Sequence, residues 1–403
     1  MPGFRLSLKL CMTKRLAEMN LMGGFPRKIV FGRGSLESLP EVISELGLHG
    51  NCMLVTGRNF AKSSGYLDRL KCLLESAGVK KIIVFDRVEP NPSAEIVDEG
   101  GRIAVKQAVD FVVGFGGGSA LDAAKGIAVV ASAGEGSIRN YFYPPEVKHS
   151  ILPIIAIPTT CGTGSEVTRY AIISDAKRKN SVRGDNLIPM AAILDSETLK
   201  HLPRDILAHT AMDALSHAIE SCFHVKSSEM ILMFSAEAIN TIFKNFVQAY
   251  EGDHDSREKL LYASMLAGFS INFSGAIVVH ALGYYLTEEY GIPHGLANAL
   301  FLTNFIEYCS RRVPEKIILL CRKIGIPASN SAECSKFLVE KINEMRRYAK
   351  MPLSLLEAKV PESELDKLVE EALSYKRNIE SCIVPLNRED MEWIVRGAFR
   401  GMC

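Results

Sequence analysis

Four side chains in the second half of this 403-residue sequence have the types and spacing to hold a cation. Asp213 and His217 stand four residues apart in AMDALSHAIE, where Met212, Leu215, Ile219 and Cys222 recur at helical spacing. The carboxylate and the imidazole therefore share a face separate from the apolar stripe. An Asp and a His at this spacing also occur on exposed helices that bind nothing, so the pair needs partners. They are found in VVHALGYYLTEEYGIPHGLANAL, which carries His280 and His294. On one straight helix these two would lie about 21 Å apart at ~1.5 Å per residue, too far to share an ion. Gly291 and Pro293 break the helix near Tyr290 and reverse the chain, returning His294 to the level of His280. One oxygen and three nitrogens suit a divalent first-row metal such as Fe²⁺ or Zn²⁺, with room for a substrate oxygen.

A centre of this kind needs a frame. From Arg27 the chain alternates apolar runs with helical stretches: KIVFG, the amphipathic helix SLESLPEVISELG, then NCMLVTG, KKIIVFD, FVVGFGGG and LPIIAIPTT. Such alternation predicts parallel strands buried on both faces, a doubly wound, Rossmann-like α/β domain. After AAILDSETLKHLP the alternation stops and helical periodicity dominates, over 211–224, 229–249, 256–271, 275–289, 295–310, 314–324, 332–348, 363–374 and 388–399. The expected organisation is a loosely attached extension (1–22), a dinucleotide-binding α/β domain (23–196) and an all-α metal-binding domain (197–403), with the site in the cleft between the last two.

Ligands of doubly wound sheets bind at the carboxyl ends of the strands, and two glycine-rich loops stand there. In GFGGGSALDAAKG, consecutive glycines let the backbone approach a ligand, and the helix starting near Ser119 offers free amides and a positive dipole end to a pyrophosphate. It is not the usual dinucleotide fingerprint, because Ser119 stands at the last glycine position; a tight strand-to-helix turn is the plain alternative. PTTCGTGSEVT, Pro158 to Thr168, follows the next apolar strand, and two such loops side by side could hold the two halves of a dinucleotide. Its own plain alternative is a polar turn in which Thr159 and Thr160 bond only backbone.

Bulk composition excludes several classes. Lys plus Arg (47) against Asp plus Glu (46) leave a formal charge of +1, which gives no electrostatic case for nucleic acid or an anionic membrane. Ten cysteines without a CxxC pair suggest reduced thiols in a cytoplasm. The opening twenty residues are too interrupted for a secretory signal, and no apolar run is long enough to span a bilayer. No G-x-S-x-G elbow for a nucleophilic serine is present.

Taken together and in order, GGGSALDAAKG, IPTTCGTGSEVT, AMDALSHAIE and the two histidines of H-x13-HG resemble the iron-containing (group III) alcohol dehydrogenases from about Phe25 to the carboxyl end. The resemblance implies an NAD(P)-dependent oxidoreductase acting on an alcohol/aldehyde pair, a homo-oligomer (dimer), with Asp213, His217, His280 and His294 as metal ligands. It brings Gly117, Gly118 and Ser119 to the pyrophosphate and Thr159, Thr163, Thr168 and Lys179 to the cofactor. Asn91, Gly116, Asp122 and Thr160 complete the expected cofactor set. Gly57 joins them: the family often has an acid just after the second strand, whereas Gly57 followed by Arg58 removes a repulsion and predicts NADP ahead of NAD.

His280 and His294 are also the expected catalytic pair, together with Tyr284. The family commonly shows a second histidine four residues after the first ligand, and HALGY has Tyr284 there. A phenol at this place predicts an altered proton relay with alcohol oxidation rising towards alkaline pH; simple packing beside Tyr285 is the plain alternative. His224 lies too far along a continuous helix to join the metal. His49, His149, His201, His209 and His254 read as unpaired residues of loops or helix ends. Competing functions within the fold group are a polyol (glycerol-type) dehydrogenase and a hydroxyacid–oxoacid transhydrogenase. A dehydroquinate synthase-like lyase would need several cations in the cleft, for which Arg178, Lys179 and Arg183 are the sequence candidates.

Overall fold

The structure, a computed structural model, describes residues 24–401; the expected extension, 1–22, lies outside them. Six strands, β1 (Lys28–Phe31), β2 (Asn51–Gly57), β3 (Lys81–Val88), β4 (Phe111–Gly116), β5 (Ile154–Pro158) and β8 (Ala191–Leu194), form a parallel sheet in the order β1-β8-β5-β4-β2-β3. Every residue of β4 (FVVGFG) and β5 (IIAIP) is buried, as central strands covered on both faces require. Two apolar layers cover the sheet. On one face Leu39, Val42 and Ile43 of α1 (Leu39–Glu45) and Leu67, Leu70 and Leu74 of α2 (Tyr66–Ser76) pack against Cys52, Leu54 and Phe111. On the other, α3 (Ala94–Lys106) and α4 (Gly118–Ala133) pack on Met53, Val55 and Val112.

The strand order reverses between β2 and β4, since β3 lies beyond β2 on one side while β4, β5 and β8 follow on the other. A crevice at the carboxyl ends is the natural ligand seat at such a point. The first predicted helix is divided: a 3₁₀ turn over Ser35–Ser38 precedes α1, whose second residue is Pro40. An antiparallel hairpin, β6 (Tyr170–Asp175) and β7 (Arg178–Arg183), was not expected from the sequence. Its turn places Ala176 and Lys177 at positive φ without a glycine, so the usual hairpin signal is missing.

The helical half comprises α5 (Arg204–Cys222), α6 (Glu229–Glu251), α7 (His254–Phe273), α8 (Val278–Tyr290), α9 (His294–Arg312), α10 (Pro314–Lys323), α11 (Ser331–Tyr348), α12 (Leu365–Ser374), α13 (Lys376–Glu380) and α14 (Arg388–Arg400). Helix α5 starts right after Pro203, earlier than its apolar periodicity indicated, and so takes in His209. From Ala211 to Cys222 it is buried on all sides, so Asp213 and His217 face other helices rather than water. The predicted helix 275–289 begins only at Val278, because Gly275 (φ 117°) unwinds the chain after α7. Among the described residues no single helix is long and apolar enough to cross a membrane; α7 and α8 reach that length only jointly, bent by 110°.

Candidate metal centre and nucleotide crevice

Three helices bring the predicted ligands together. Asp213 Oδ1 lies 3.6 Å from His280 Nε2, 3.7 Å from His294 Nε2 and 3.9 Å from His217 Nε2. Donor atoms of Asp213, His280 and His294 all fall within 4.8 Å of one another, while His217 stacks on the His280 ring at 4.6 Å. The chain reversal follows the predicted route: Gly291 ends α8 at φ 63° and Pro293 caps α9, whose first residue is His294. Close helix approach holds it there. A Cβ on Gly295 would come 1.8 Å from the His209 carbonyl oxygen of α5, and one on Gly283 would come 2.1 Å from Asn298 Oδ1 of α9.

The cluster is chemically fitted to a cation. His280 Nε2, the ring nitrogen that faces Asp213, is buried without a hydrogen-bond partner among the described residues, an arrangement that is costly unless something binds there; the unpartnered nitrogens of His217 and His294 are Nδ1, on the other side of each ring from the Nε2 that approaches Asp213. Burial opposes ionisation of Asp213, yet the imidazoles of His217, His294 and His280 hold its carboxyl well below the ordinary range. Burial and the neighbouring His280, Lys179 and His217 push His294 down to about 3 in spite of Asp213, leaving the ring neutral and free to donate a lone pair. His280 goes the other way: burial opposes its charge, but Glu220 and Asp213 outweigh it and raise the ring to about 9. A metal cation competes with that proton.

Two residues of this centre escaped the sequence reading. Glu220, fully buried, bonds His280 Nδ1 with one carboxylate oxygen and accepts the Val279 amide at 2.5 Å with the other. It thus fixes the tautomer that turns Nε2 towards Asp213. Its signal was available, since Asp213, His217 and Glu220 follow at i, i+4 and i+7 on one helix face. Asn298, one turn after His294, donates to Asp213 Oδ1 at 3.0 Å and lies 3.3 Å from His294 Nε2. Nothing in its spacing set it apart.

The glycine loops form the facing wall of a cleft of about 390 Å³. Gly117 precedes α4 with no side chain capping the helix, so amides of its first turn point to the cleft. A Cβ on Gly118 would come 2.4 Å from Thr163 Cγ2, and one on Gly117 would come 3.2 Å from Thr160. The two loops are pressed together, and only glycine allows it. Of the predicted cofactor residues, Asn91, Gly118, Ser119, Asp122, Thr163, Thr168 and Lys179 line the same cleft as the metal ligands. Gly116 and Thr159 lie behind, joined by a backbone hydrogen bond of 3.0 Å, and Gly117 and Thr160 shape the wall. Gly57 lies outside that lining, at the end of β2 opposite Val88 of β3, and Arg58 is paired with Glu89.

Several of these side chains also brace the wall. Asp122 accepts from Ser165 Oγ (2.6 Å) and the Ile172 amide (3.0 Å). Fully buried Lys125 donates to the Thr168 and Tyr170 carbonyl oxygens, each at 2.8 Å. Lys179 on the hairpin donates to Asn91 Oδ1 (2.7 Å) and pairs with Glu288 of α8 at 3.2 Å.

Tyr284 faces the cleft but differs from expectation. Its ring lies parallel to His294 (5.5 Å between centroids, 11°) and 5.1 Å from Tyr375, with no ring contact to Tyr285. Burial, then Tyr375 and the carboxylates of Glu220 and Asp213, raise its pKa above the ordinary phenol value. Burial thus disfavours the phenolate and leaves the hydroxyl as a hydrogen-bond donor to the cleft. The end of the cleft away from the glycine loops carries residues the sequence did not mark: Tyr143, Tyr170, Tyr375, Lys376 and Arg377.

Comparison with known proteins adds lineage to this geometry. Residues 26–196 match the family model "Iron-containing alcohol dehydrogenase", and residues 207–399 match "Fe-containing alcohol dehydrogenase family, C-terminal". An NADPH-dependent butanol dehydrogenase of Clostridium saccharobutylicum is 31% identical over 387 residues, 93% of this chain and 97% of the relative. A solved 1,3-propanediol oxidoreductase superposes with a TM-score of 0.87 at 29% identity, covering 93% of this chain and 98% of the other. A sulfoacetaldehyde reductase from Bifidobacterium kashiwanohense, solved in complex with NAD⁺, gives 0.82 at 28% identity, covering 93% and 97%.

Proposed function

The chain belongs to the iron-containing alcohol dehydrogenase family, and on that premise we propose that it interconverts an alcohol and its aldehyde at the Asp213 cluster with a nicotinamide cofactor held by the glycine loops. The carrying observation is the group Asp213, His280 and His294, with donor atoms within 4.8 Å of one another and His280 Nε2 buried and unpartnered, opening into one cleft with Gly118 and Ser119. Asp213, His217, His280 and His294 would hold the ion, read as Fe²⁺ with Zn²⁺ compatible with the same donors. When bound, the metal supplies a Lewis acid for the substrate oxygen, and the nicotinamide gives or takes the hydride.

The remaining work falls to the chain. Amides at the start of α4 and the helix dipole neutralise the pyrophosphate, and Ser119 Oγ, which accepts the Asn91 amide at 3.1 Å, ties the β3–α3 loop over it. Glu220 keeps His280 oriented, and Tyr284 packs His294 in place while offering a hydroxyl proton to the cleft.

NADP is the preferred cofactor in this reading. No carboxylate stands at Gly57, where a 2′-phosphate would be repelled, although Arg58 already shares its charge with Glu89. Gly57→Asp should lower kcat/KM for NADP at least about tenfold relative to NAD; a parent that strongly prefers NAD contradicts the preference. The reading extends to a homo-oligomer in a reducing cytoplasm, with edge strand β1, whose Ile29 and Phe31 are exposed, as a pairing surface. Anaerobic purification with metal analysis, then a panel of alcohols and aldehydes with both cofactors, tests the whole. A preparation loaded with one divalent metal per chain that turns over none of them would defeat it.

A further inference from the structure

The cleft wall formed by Tyr143, Tyr170 and Arg377 holds an unmatched positive charge. Of the basic residues that line the cleft, Arg178 pairs with Glu371 at 3.1 Å and Lys179 with Glu288 at 3.2 Å, and Lys376 is exposed to solvent. Arg377, half-buried in the cleft wall, has no carboxylate within 4.0 Å among the described residues. Its guanidinium lies 5.2 Å and 5.4 Å from the Tyr143 and Tyr170 rings, and Nη2 donates to the Tyr170 hydroxyl at 3.2 Å. The other donors of its planar fork are left over, and that fork matches a carboxylate or another oxyanion.

A second observation shows where such an anion would sit. A Cβ built on Gly275 would lie 3.4 Å from Arg377 Nη2, 3.5 Å from His224 Nε2 and 3.8 Å from the Tyr170 hydroxyl. Three polar groups thus converge beside Gly275, next to Tyr170, Ala276 and Arg377 of the cleft lining. His224 is only 2% exposed, and its Nδ1 accepts the Lys226 amide at 2.9 Å, which puts the ring proton on Nε2, facing that volume. Burial, with Lys226 and Arg377 nearby, lowers His224 to about 4, so the ring is a neutral donor at physiological pH. The arrangement is also held in place: Asn378 Nδ2 donates to the Ala276 and Ile277 carbonyl oxygens at 3.1 Å and 3.4 Å, fastening α13 to the break before α8.

We propose that the substrate is an aldehyde or alcohol carrying a separate anionic group, a carboxylate, sulfonate or phosphonate, and that this group seats over Gly275 against Arg377, His224 and Tyr170. The proposal rests on the alcohol dehydrogenase reading, with the carbonyl end at the Asp213 cluster and the anion at the Arg377 wall of the same cleft. The anion takes no part in bond making. Two electrons and a proton pass as hydride between the reduced cofactor and the carbonyl carbon, a second proton reaches the oxygen, and the charged tail only fixes which aldehyde is held. The cofactor pyrophosphate is not the natural occupant, because the free amides of α4 lie on the facing wall.

The test compares 4-oxobutanoate and 2-sulfoacetaldehyde with butanal. The parent should favour at least one anionic aldehyde over butanal by about tenfold or more in kcat/KM, because a site built to pair a polar group discriminates strongly against its absence. Arg377→Gln should cut that ratio at least about tenfold, chiefly through KM, and Arg377→Lys should restore part of it. Calorimetric titration of 4-hydroxybutanoate and 2-hydroxyethanesulfonate into the enzyme–cofactor complex gives a readout independent of turnover: the parent binds at least one and Arg377→Gln loses it. Butanal turnover with no anionic preference, a ratio unmoved by Arg377→Gln, or a change confined to the cofactor KM overturns the proposal while leaving the dehydrogenase standing. If no aldehyde is reduced, the dehydrogenase reading fails, and the titrations alone then decide the anion seat: parent binding lost in Arg377→Gln upholds it, and no binding in the parent removes it.

Discussion

On the sheet side of the cleft the surface offered to a ligand is mostly backbone: the amides after Gly117, loops packed so tightly that Gly118 would meet Thr163 with any side chain, and hydroxyls that brace rather than react. On the helical side it is side-chain charge: the buried Asp213 and Glu220, which together raise His280, beside the His217 and His294 rings, which burial keeps neutral. The first wall is specified by the absence of atoms and fails sterically. The second is specified by particular donors and fails electrostatically, when a buried charge loses its partner. If the contrast is right, damage on each side should be separable.

The largest expected effect is on the charged side. His280→Ala should abolish metal retention and lower kcat at least about a thousandfold, while the nicotinamide cofactor still binds; metal analysis beside cofactor fluorescence checks both, and loss of cofactor binding would merge the two walls into one unit. The converse comes next. Gly118→Val, which forces a contact 2.4 Å from Thr163, should weaken cofactor binding about tenfold to a hundredfold and leave metal content unchanged.

Glu220→Gln sharpens the comparison within the charged side. It keeps the shape and removes the charge beside His280, so metal affinity should fall about tenfold to a hundredfold, measured by competition with a chelator. Unchanged affinity would mean that Glu220 only caps α8. The smallest effect belongs to Tyr284. With its phenol kept protonated by burial, Tyr284→Phe should slow turnover by less than about tenfold and leave the alkaline limb of the alcohol-oxidation profile in place. A lost alkaline limb would assign Tyr284 to the proton relay that the sequence suggested.

The metal cluster was legible because its information is periodic or punctuational: a four-residue spacing, then a Gly and a Pro that can only reverse a helix. The parallel sheet was legible for a similar reason, as runs such as FVVGFG are apolar on both faces. Glu220 was hidden in plain spacing, since a fully buried acid reads in sequence like a surface one. The hairpin β6–β7 was missed because its turn uses Ala176 and Lys177 where glycine or asparagine is usual. The Arg377 seat could not be read at all. Gly275, Tyr170, His224 and Arg377 come from separate elements, and nothing in any one segment says that three donors converge above a glycine.

The turn between α8 and α9 has a consequence for how this chain can vary. His294 is the first residue of α9, only three residues beyond the glycine that ends α8, and the two helices are pinned to each other at Gly283 and Asn298. One residue inserted between Gly291 and His294 would be absorbed either by lifting the helix start or by rotating it about 100° per residue, and each swings the imidazole away from Asp213. Most connections on a protein surface accept insertions readily. This one has no tolerance of length, so descendants of the sequence can change its composition but not its residue count.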